Sequence, residues 1–261
     1  MSLVKIPKVD EIRNCIENVS DEKTRTAFKY LYLIAGRVSE VCGKYSPYPR
    51  HVIRCDIEDE EAIMFAVRTA KRKRNLYRPV ALPVNNEPWV SDVADYIEKT
   101  PNEEHPFVFP KRKPYKYDTN VRYLQLEATK ILSGFEWTIP DYSITKEKTT
   151  EDENTLANVV FELRNRGQLS FELKPPMTET VVTKQHVKKF TSDPLRYMRA
   201  IELLSKYKFN PIELSIYGGW KSSTVTTGIP SFIGRYFSLD TAEPDISYLK
   251  MMAEIYFRKL L

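Results

Sequence analysis

The sequence predicts a mainly helical α+β protein with a small antiparallel sheet, and two patterns support this fold class. Long stretches place apolar residues three or four positions apart, which is the spacing of a helix with one buried face. Residues 52–83 instead contain three short β-prone segments separated by turns. With 261 residues and 42% hydrophobic content, the chain is long enough to bury a substantial core.

The elements of the N-terminal half follow from these patterns in chain order. Residues 8–20 predict a short helix, and DEKTRTAFKYLYLIAG begins a second helix whose apolar stripe continues to Val38 and Val41. The predicted strands are HVIRCDIE, AIMFAVRTA and YRPVALPV, and further helices are predicted at 90–99 and 119–133. The four prolines of TPNEEHPFVFPKRKPYKY predict a loop between those two helices.

In the C-terminal half, residues 141–185 predict a β-hairpin insertion. Within it, NVVFELRNRGQLSFEL has two β-prone arms around a turn that contains a glycine. The segment TSDPLRYMRAIELLSKY then predicts a helix with Asp193 as its N-cap and Pro194 at its first position. A terminal helix is predicted with these residues on its apolar face: Ile246, Leu249, Ala253, Tyr256 and Leu260.

Charge and cysteine content narrow the functional classes. The 40 basic and 35 acidic residues make the chain only mildly basic, which does not by itself identify a nucleic-acid binder. Three cysteines without a CxxC pair, and only three histidines, argue against a disulfide scaffold and against a metal site. No apolar run reaches the length of a membrane span, and the first residues lack a signal-peptide core. We therefore expect a cytoplasmic protein without metal or membrane association.

Two clusters of basic residues point towards nucleic acid. In KRKRNLYR, at 71–78, five of eight residues are basic, and the segment lies between two predicted strands where a hairpin tip would project. KRKPYK, at 111–116, repeats this composition. Long basic side chains on a projecting turn suit contact with phosphates, although either segment alone is equally well explained as a solvated turn. The candidate DNA-contacting residues are Arg72, Arg74, Lys111, Arg112 and Lys113.

One further arginine calls for an explanation. LYLIAGRVSEV runs an apolar helical segment directly into Arg37 and then Glu40. A charge among apolar neighbours is costly to desolvate unless it is paired, so Arg37 is a snorkelling surface residue, part of an ion pair with Glu40 or an anion ligand. Metal-free cleavage of a phosphodiester requires fixed cations on the phosphate oxygens, a nucleophile and an acid for the leaving hydroxyl. Arginine suits the first of these roles and tyrosine the second.

LIAGRVSEV resembles the first motif of the tyrosine recombinases, also called phage-type integrases. The resemblance implies that Arg37 is the first catalytic arginine and that Glu40 supports the active site. VRTAKRKRNLYRPVALP is similar to the strands of that family whose hairpin carries the lysine that protonates the leaving 5′-hydroxyl. Lys71 is the first candidate because it directly follows the strand, and Lys73 is the alternative because the spacing back from Arg78 also fits it.

The later motifs resemble the same family. DPLRYMRAIELL matches the helix that opens with H-x-x-R, which makes Arg196 the second catalytic arginine but leaves Asp193 at the histidine position. A carboxylate there repels phosphate and donates no hydrogen bond unless it is protonated. IYGGWKSS offers Trp220 for the position where relatives carry histidine or tryptophan, and an indole N–H can donate to phosphate. IGRYFSLD resembles the segment of the nucleophile, which makes Tyr236 the attacking residue.

The resemblance implies a fold and an activity for the whole chain. It implies a single catalytic domain over 1–261, with the sheet packed against a helical bundle and without the separate N-terminal DNA-binding domain of relatives. The implied activity is site-specific recombination or integration of double-stranded DNA, without metal or ATP, by a nucleoid-associated homo-tetramer. A recombinase fold with decayed catalysis remains open, because Asp193 departs from the pattern. Strand relaxation of the type IB topoisomerase kind remains open as well, because it uses the same side chains.

Overall fold

The computed structural model describes residues 7–70, 77–109, 117–133, 135–144, 162, 180–189, 192–219 and 244–261. The chain divides into two compact units. One unit includes residues 136–188, and the other includes residues 6–135 and 189–261. Within the described ranges, no helix is long and apolar enough to cross a membrane.

The larger unit is a mixed α+β structure that is mostly helical. Its N-terminal part contains α1 (Val9–Glu17), α2 (Glu22–Leu33), α3 (Val38–Cys42), a 3₁₀ turn (Pro49–His51), β1 (Val52–Ile57), β2 (Glu60–Arg68), β3 (Tyr77–Pro83), α4 (Val90–Glu98) and α5 (Tyr117–Ile131). Its C-terminal part contains α6 (Ser192–Ser205), α7 (Pro211–Gly218), α8 (Ile246–Phe257) and a 3₁₀ turn (Arg258–Leu260). The prediction of a mainly helical α+β protein with a small antiparallel sheet is confirmed.

The sheet has the order β1-β2-β3, with both pairs antiparallel. The central strand β2 is buried continuously over residues 62–67, as expected for a strand that is covered on both faces. α8 packs against β3, where the Tyr256 hydroxyl accepts a hydrogen bond from the Ala81 amide at 2.9 Å and donates one to the Pro79 carbonyl at 3.2 Å. These bonds satisfy backbone groups of β3, which has a strand partner on one side only.

The prediction of one helical stripe from residue 21 to Val41 is wrong. Helix α2 ends at Leu33, Ala35 has a left-handed φ of 45°, and α3 starts anew at Val38. The Ile34 carbonyl, which a continuing helix would bond to the amide of Val38, instead accepts a hydrogen bond from the Arg78 side chain at 2.9 Å. Arg37 therefore lies at the N-cap of α3 rather than on the flank of one long helix.

Two details near the C-terminus also differ from expectation. Helix α6 begins at Ser192, so Asp193 lies in its first turn and not at its N-cap. On α8, Ile246 is 50% exposed, whereas Leu249, Ala253, Tyr256 and Leu260 are buried as predicted. Ile246 is the first residue of α8, and Asp245 caps that helix by accepting a hydrogen bond from the Tyr248 amide at 3.0 Å. The helix thus starts before its buried face begins.

In the smaller unit, β4 (Glu136–Ile144) pairs with β5 (Thr180–Lys189). The two strands flank most of the segment 141–185 that was predicted to be a hairpin insertion. Apart from Glu162, the predicted hairpin arms lie outside the described residues. The same holds for the predicted site residues Lys71, Arg72, Lys73, Arg74, Lys111, Arg112, Lys113, Trp220 and Tyr236.

Candidate active site

Glu40 on α3 is the centre of a group of charged side chains. It is only 1% exposed. Its carboxylate accepts hydrogen bonds from the Arg37 amide at 3.1 Å and the Ala70 amide at 2.9 Å. It also forms ion pairs with the guanidinium groups of Arg37, at 3.5 Å, and Arg78, at 3.1 Å. Glu40 therefore ties the first motif to the end of β2 and to β3.

Arg78 on β3 holds three parts of the chain together from inside the protein. Besides its ion pair with Glu40, its guanidinium donates to the carbonyl of Ile34, at the end of α2, and to the carbonyl of Tyr217, in the last turn of α7. The side chain is 4% exposed, and these acceptors fix its orientation. Arg78 is consequently a positioning residue for the backbone around Arg37, and the sequence had singled it out only as a spacing marker.

Arg196 projects from α6 into the same group. Its side chain is buried and donates to the Gly218 carbonyl at 2.7 Å. Its pKa is lowered to about 9, mainly by burial and then by the positive charges of Arg78 and Arg37, against the opposing effect of Glu40. Because Arg37, Glu40 and Arg78 each affect the pKa of Arg196, the four side chains lie close enough to interact electrostatically. We call Arg37, Glu40, Arg78 and Arg196 the arginine site.

The arginine site carries more positive charge than its own carboxylate can balance. Among the described side chains that form it, three guanidinium groups face one carboxylate. Arg37 is its most accessible member, with 29% of its side chain exposed. Guanidinium groups that lie close together repel one another, and a bound anion would lower that repulsion. The ion pair of Arg37 with Glu40, one of the alternatives left open by the sequence, is present, whereas anion binding by Arg37 stays a prediction.

Two backbone groups that bond to the arginine site lie close in sequence to other predicted residues. Ala70, whose amide bonds to Glu40, directly precedes Lys71 in the chain. Gly218, whose carbonyl accepts from Arg196, is followed by Gly219 and then Trp220. Gly219 has a φ of +64° and lies against Arg78. The lysine hairpin residues and Trp220 themselves lie outside the described residues.

We expect Gly219→Ala to destabilise the protein. A Cβ at this position would meet Arg78 Cδ at 2.8 Å and Arg78 Nε at 3.1 Å, and the left-handed φ of +64° disfavours any residue with a Cβ. The free energy of unfolding, measured by urea denaturation, should fall by about 2 kcal/mol. Lys208→Ala is the matched control, because Lys208 already has a Cβ at a φ of 56°. Equal stability of Gly219→Ala and wild type would contradict the close approach.

A second group of buried charges differs from the arginine site in its ratio of arginines to glutamates. Arg199, also on α6, is fully buried and forms ion pairs with Glu202 at 2.5 Å and Glu87 at 3.1 Å. Arg13 pairs with the same two carboxylates, at 2.8 Å to Glu87 and 3.3 Å to Glu202. Among the described side chains here, two arginines thus face two glutamates. Burial alone would lower the pKa of Arg199, but Tyr217 and these carboxylates raise it.

The two arginines of α6 lie in different electrostatic surroundings. Arg199 has carboxylate partners and a raised pKa, which is typical of a structural ion network. Arg196 is one turn earlier, and its pKa is lowered by burial and by other arginines. A lowered arginine pKa in a cluster of cations indicates a site that is prepared for a ligand of opposite charge.

Of the predicted catalytic and supporting residues, the structure brings together Arg37, Glu40 and Arg196. Asp193 lies on α6 three residues before Arg196, within the first turn of the helix. Arg78 and Gly219 belong to the site but were not predicted from the sequence as parts of it. A basic residue in an otherwise apolar strand, YRPVALP, was the signal that pointed to Arg78, because such a charge needs a buried partner.

The described residues contain no group of three or more histidine, cysteine, aspartate or glutamate side chains placed to hold a metal ion. The arginine site therefore offers fixed cations rather than metal ligands. No protein-family model matches this chain, and no curated protein or solved structure is significantly similar to it. The functional assignment consequently depends on the geometry of the arginine site and on the motifs that adjoin it.

Proposed function

We propose that the protein cleaves and rejoins double-stranded DNA through a 3′-phosphotyrosyl intermediate, as a site-specific recombinase or integrase. Tyr236 releases its phenolic proton to water as its oxygen attacks phosphorus, a tyrosyl–phosphate bond forms, and the bond to the 5′-oxygen breaks. Lys71 or Lys73 gives the leaving 5′-oxygen its proton, and Trp220 donates a hydrogen bond to a phosphate oxygen. Rejoining reverses these steps, so the reaction requires neither a metal ion nor ATP.

The observation that carries this proposal is the grouping of three guanidinium groups with one carboxylate among the described side chains of the arginine site. Arg37 and Arg196 hold the non-bridging oxygens of the scissile phosphate, and their fixed position avoids reorganisation as charge develops in the transition state. Glu40 keeps Arg37 in place through their ion pair, and the hydrogen bond to the Gly218 carbonyl orients Arg196. The burial that lowers the pKa of Arg196 also strengthens its attraction for phosphate, because the local dielectric is low.

Recombination also requires two DNA duplexes to be brought together. We propose a homo-tetramer on paired DNA sites, located with the nucleoid in the cytoplasm. Asp193, in the first turn of α6, replaces the histidine of relatives and donates no hydrogen bond while it is ionised. Chemistry slower than that of relatives with histidine is the expected consequence.

The proposal is tested by trapping the covalent intermediate. Wild-type protein is incubated with nicked suicide duplexes, from which the cleaved fragment diffuses away, and adducts are separated on a denaturing gel. Mass spectrometry of the digested adduct then identifies the attached tyrosine among the 16 in the chain. We expect the DNA on the peptide that contains Tyr236, and Tyr236→Phe serves as the background control.

Three other results would change the assignment. DNA binding without any adduct would indicate a recombinase fold that binds DNA but has lost its chemistry. Adducts together with relaxation of supercoils at no preferred site would indicate a strand swivelase of the type IB topoisomerase kind. DNA attached to a different tyrosine would leave the activity in place and remove Tyr236 from it.

A higher adduct yield from Asp193→His would show that the carboxylate limits the rate.

A further inference from the structure

A second concentration of cations lies next to the arginine site, in the loop that follows α3. Lys44 and Arg50 of this loop are exposed, and the rings of Tyr45 and Tyr48 are half-buried between them. The loop sequence GKYSPYPRH contains no acidic residue. We call the following set the tyrosine–arginine surface: Lys44, Tyr45, Tyr48, Arg50, Arg68, Tyr77 and His105.

Aromatic rings order the arginines of this surface. The Arg50 guanidinium carbon lies 4.8 Å from the ring centre of Tyr48, and that of Arg68 lies 5.5 Å from the ring centre of Tyr45. Both distances are within the range of cation–π attraction. An arginine that is already held over a ring loses less conformational entropy when it binds a ligand, so these side chains are prepared for an anion.

Packed rings give the surface a rigid base. The ring centre of Tyr48 lies 4.2 Å from that of His105 and 5.6 Å from that of His51. His51 is buried and also packs against Tyr77, at 5.4 Å. Burial, followed by the charges of Arg50 and Arg68, lowers the pKa of His51 to about 4, so this ring is neutral at ordinary pH. Burial also lowers the pKa of His105, the histidine of the surface, so lysine and arginine supply the positive charge of the surface near neutral pH.

The surface is continuous with the arginine site. Arg68 faces Tyr77 at the last pair of the β2–β3 ladder, and Ala70, two residues after Arg68, donates its amide to Glu40. On the other side, the Tyr45 amide donates to the Ser39 carbonyl at 3.2 Å, within the helix that carries Glu40. The same two backbone segments thus support the tyrosine–arginine surface and the arginine site.

We propose that the tyrosine–arginine surface binds the phosphate backbone of duplex DNA beside the phosphate that the arginine site holds. This inference rests on the proposed function, because the continuity of the two sites selects DNA over other polyanions. Arg50 and Lys44 contact phosphates of the flanking DNA. Such contacts position the duplex and give affinity without sequence preference.

The test measures how salt affects binding of a short fluorescent duplex by anisotropy. The double variant Lys44→Gln/Arg50→Gln should bind about tenfold more weakly than wild type, and the slope of log affinity against log salt should become shallower by about 2. Arg50→Lys keeps the charge and should keep the wild-type slope. Because Lys44 and Arg50 are exposed, these variants should fold normally, which circular dichroism and thermal unfolding would check.

The matched controls are Lys130→Gln and Arg258→Gln. Lys130 has 70% and Arg258 has 81% of its side chain exposed, and their carboxylate partners are Glu127 at 2.6 Å and Glu58 at 2.9 Å. Both controls should bind DNA with the wild-type slope. A double variant that behaves like these controls would overturn the proposed surface.

Failure of the surface and failure of the proposed function give different results. If wild type and the double variant bind equally and wild type still forms the tyrosyl adduct, the surface is wrong and the proposed function remains. If wild type binds single-stranded RNA or heparin but not duplex DNA, both proposals are refuted. This holds regardless of which residues determine the salt dependence of binding. Binding to none of these polyanions would also overturn both.

Discussion

Glu40→Gln should lower the free energy of unfolding by about 3–5 kcal/mol. Glu40 is 1% exposed and is paired with Arg37 and Arg78. Glutamine keeps an acceptor oxygen of similar size, so the change removes mainly the negative charge. Three guanidinium groups would then face one another without a carboxylate among the described side chains of the site. Urea denaturation followed by circular dichroism measures the loss.

The control for Glu40→Gln is Glu98→Gln. Glu98 forms an ion pair with Arg54 at 2.7 Å, but the pair is on the surface, with 46% of the Arg54 side chain exposed. Its loss should cost about 0–1 kcal/mol. In a double-mutant cycle, Glu40→Gln with Arg78→Met should be more stable than the sum of the single changes predicts, because both partners leave together. If Glu40→Gln costs no more than Glu98→Gln, the buried pairing is refuted.

Arg196→Gln should affect chemistry and stability in different ways. We expect the rate of covalent adduct formation to fall about 10²–10³-fold, which is typical for the loss of one donor to a developing oxyanion. The free energy of unfolding should change by less than about 1 kcal/mol, because loss of the hydrogen bond to Gly218 is offset by relief of repulsion from Arg78 and Arg37. Suicide-duplex kinetics and urea denaturation measure the two effects separately.

The matched control for Arg196→Gln is Arg199→Gln on the same helix. Arg199 is fully buried and pairs with Glu87 and Glu202, so its loss leaves carboxylates buried with less compensation. We expect a decrease of about 3–5 kcal/mol in the free energy of unfolding. If both variants are destabilised equally, Arg196 belongs to a structural network and its assignment as the phosphate ligand fails.

The pH dependence of stability checks the same assignment. The pKa of Arg196 is about 9 in the folded protein, below its ordinary value of 12.5. The unfolded chain therefore keeps this proton over a pH range in which the folded protein has released it, so stability rises as pH increases through about 9. Relative to Arg196→Gln, wild type should gain about 1 kcal/mol between about pH 8 and about pH 10. The opposite sign would contradict the crowding of cations around Arg196.

Local patterns predicted most of the elements but not the break in the first motif. The strands around Phe65 and Val80 follow from β-prone segments separated by turns, and α4 follows from helical spacing. The apolar spacing through Val38 and Val41 suggested one continuous helix. The spacing of apolar residues does not show which hydrogen-bond partner each backbone carbonyl has. The helical hydrogen bonding stops at Ala35, which has a left-handed φ, and Arg78, distant in sequence, bonds the Ile34 carbonyl beyond that point.

The sequence by itself determined the fold class, the three-stranded sheet and the selection of Arg37, Glu40 and Arg196 as residues of one site. These results depend on short-range spacing and on motifs, which the chain carries locally. Only the tertiary structure decided that Arg78 completes the site and that Arg196 and Arg199, three residues apart, lie in opposite electrostatic surroundings. The physical reason is that the energy of a buried charge depends on neighbours brought by other segments, and no local pattern specifies those neighbours.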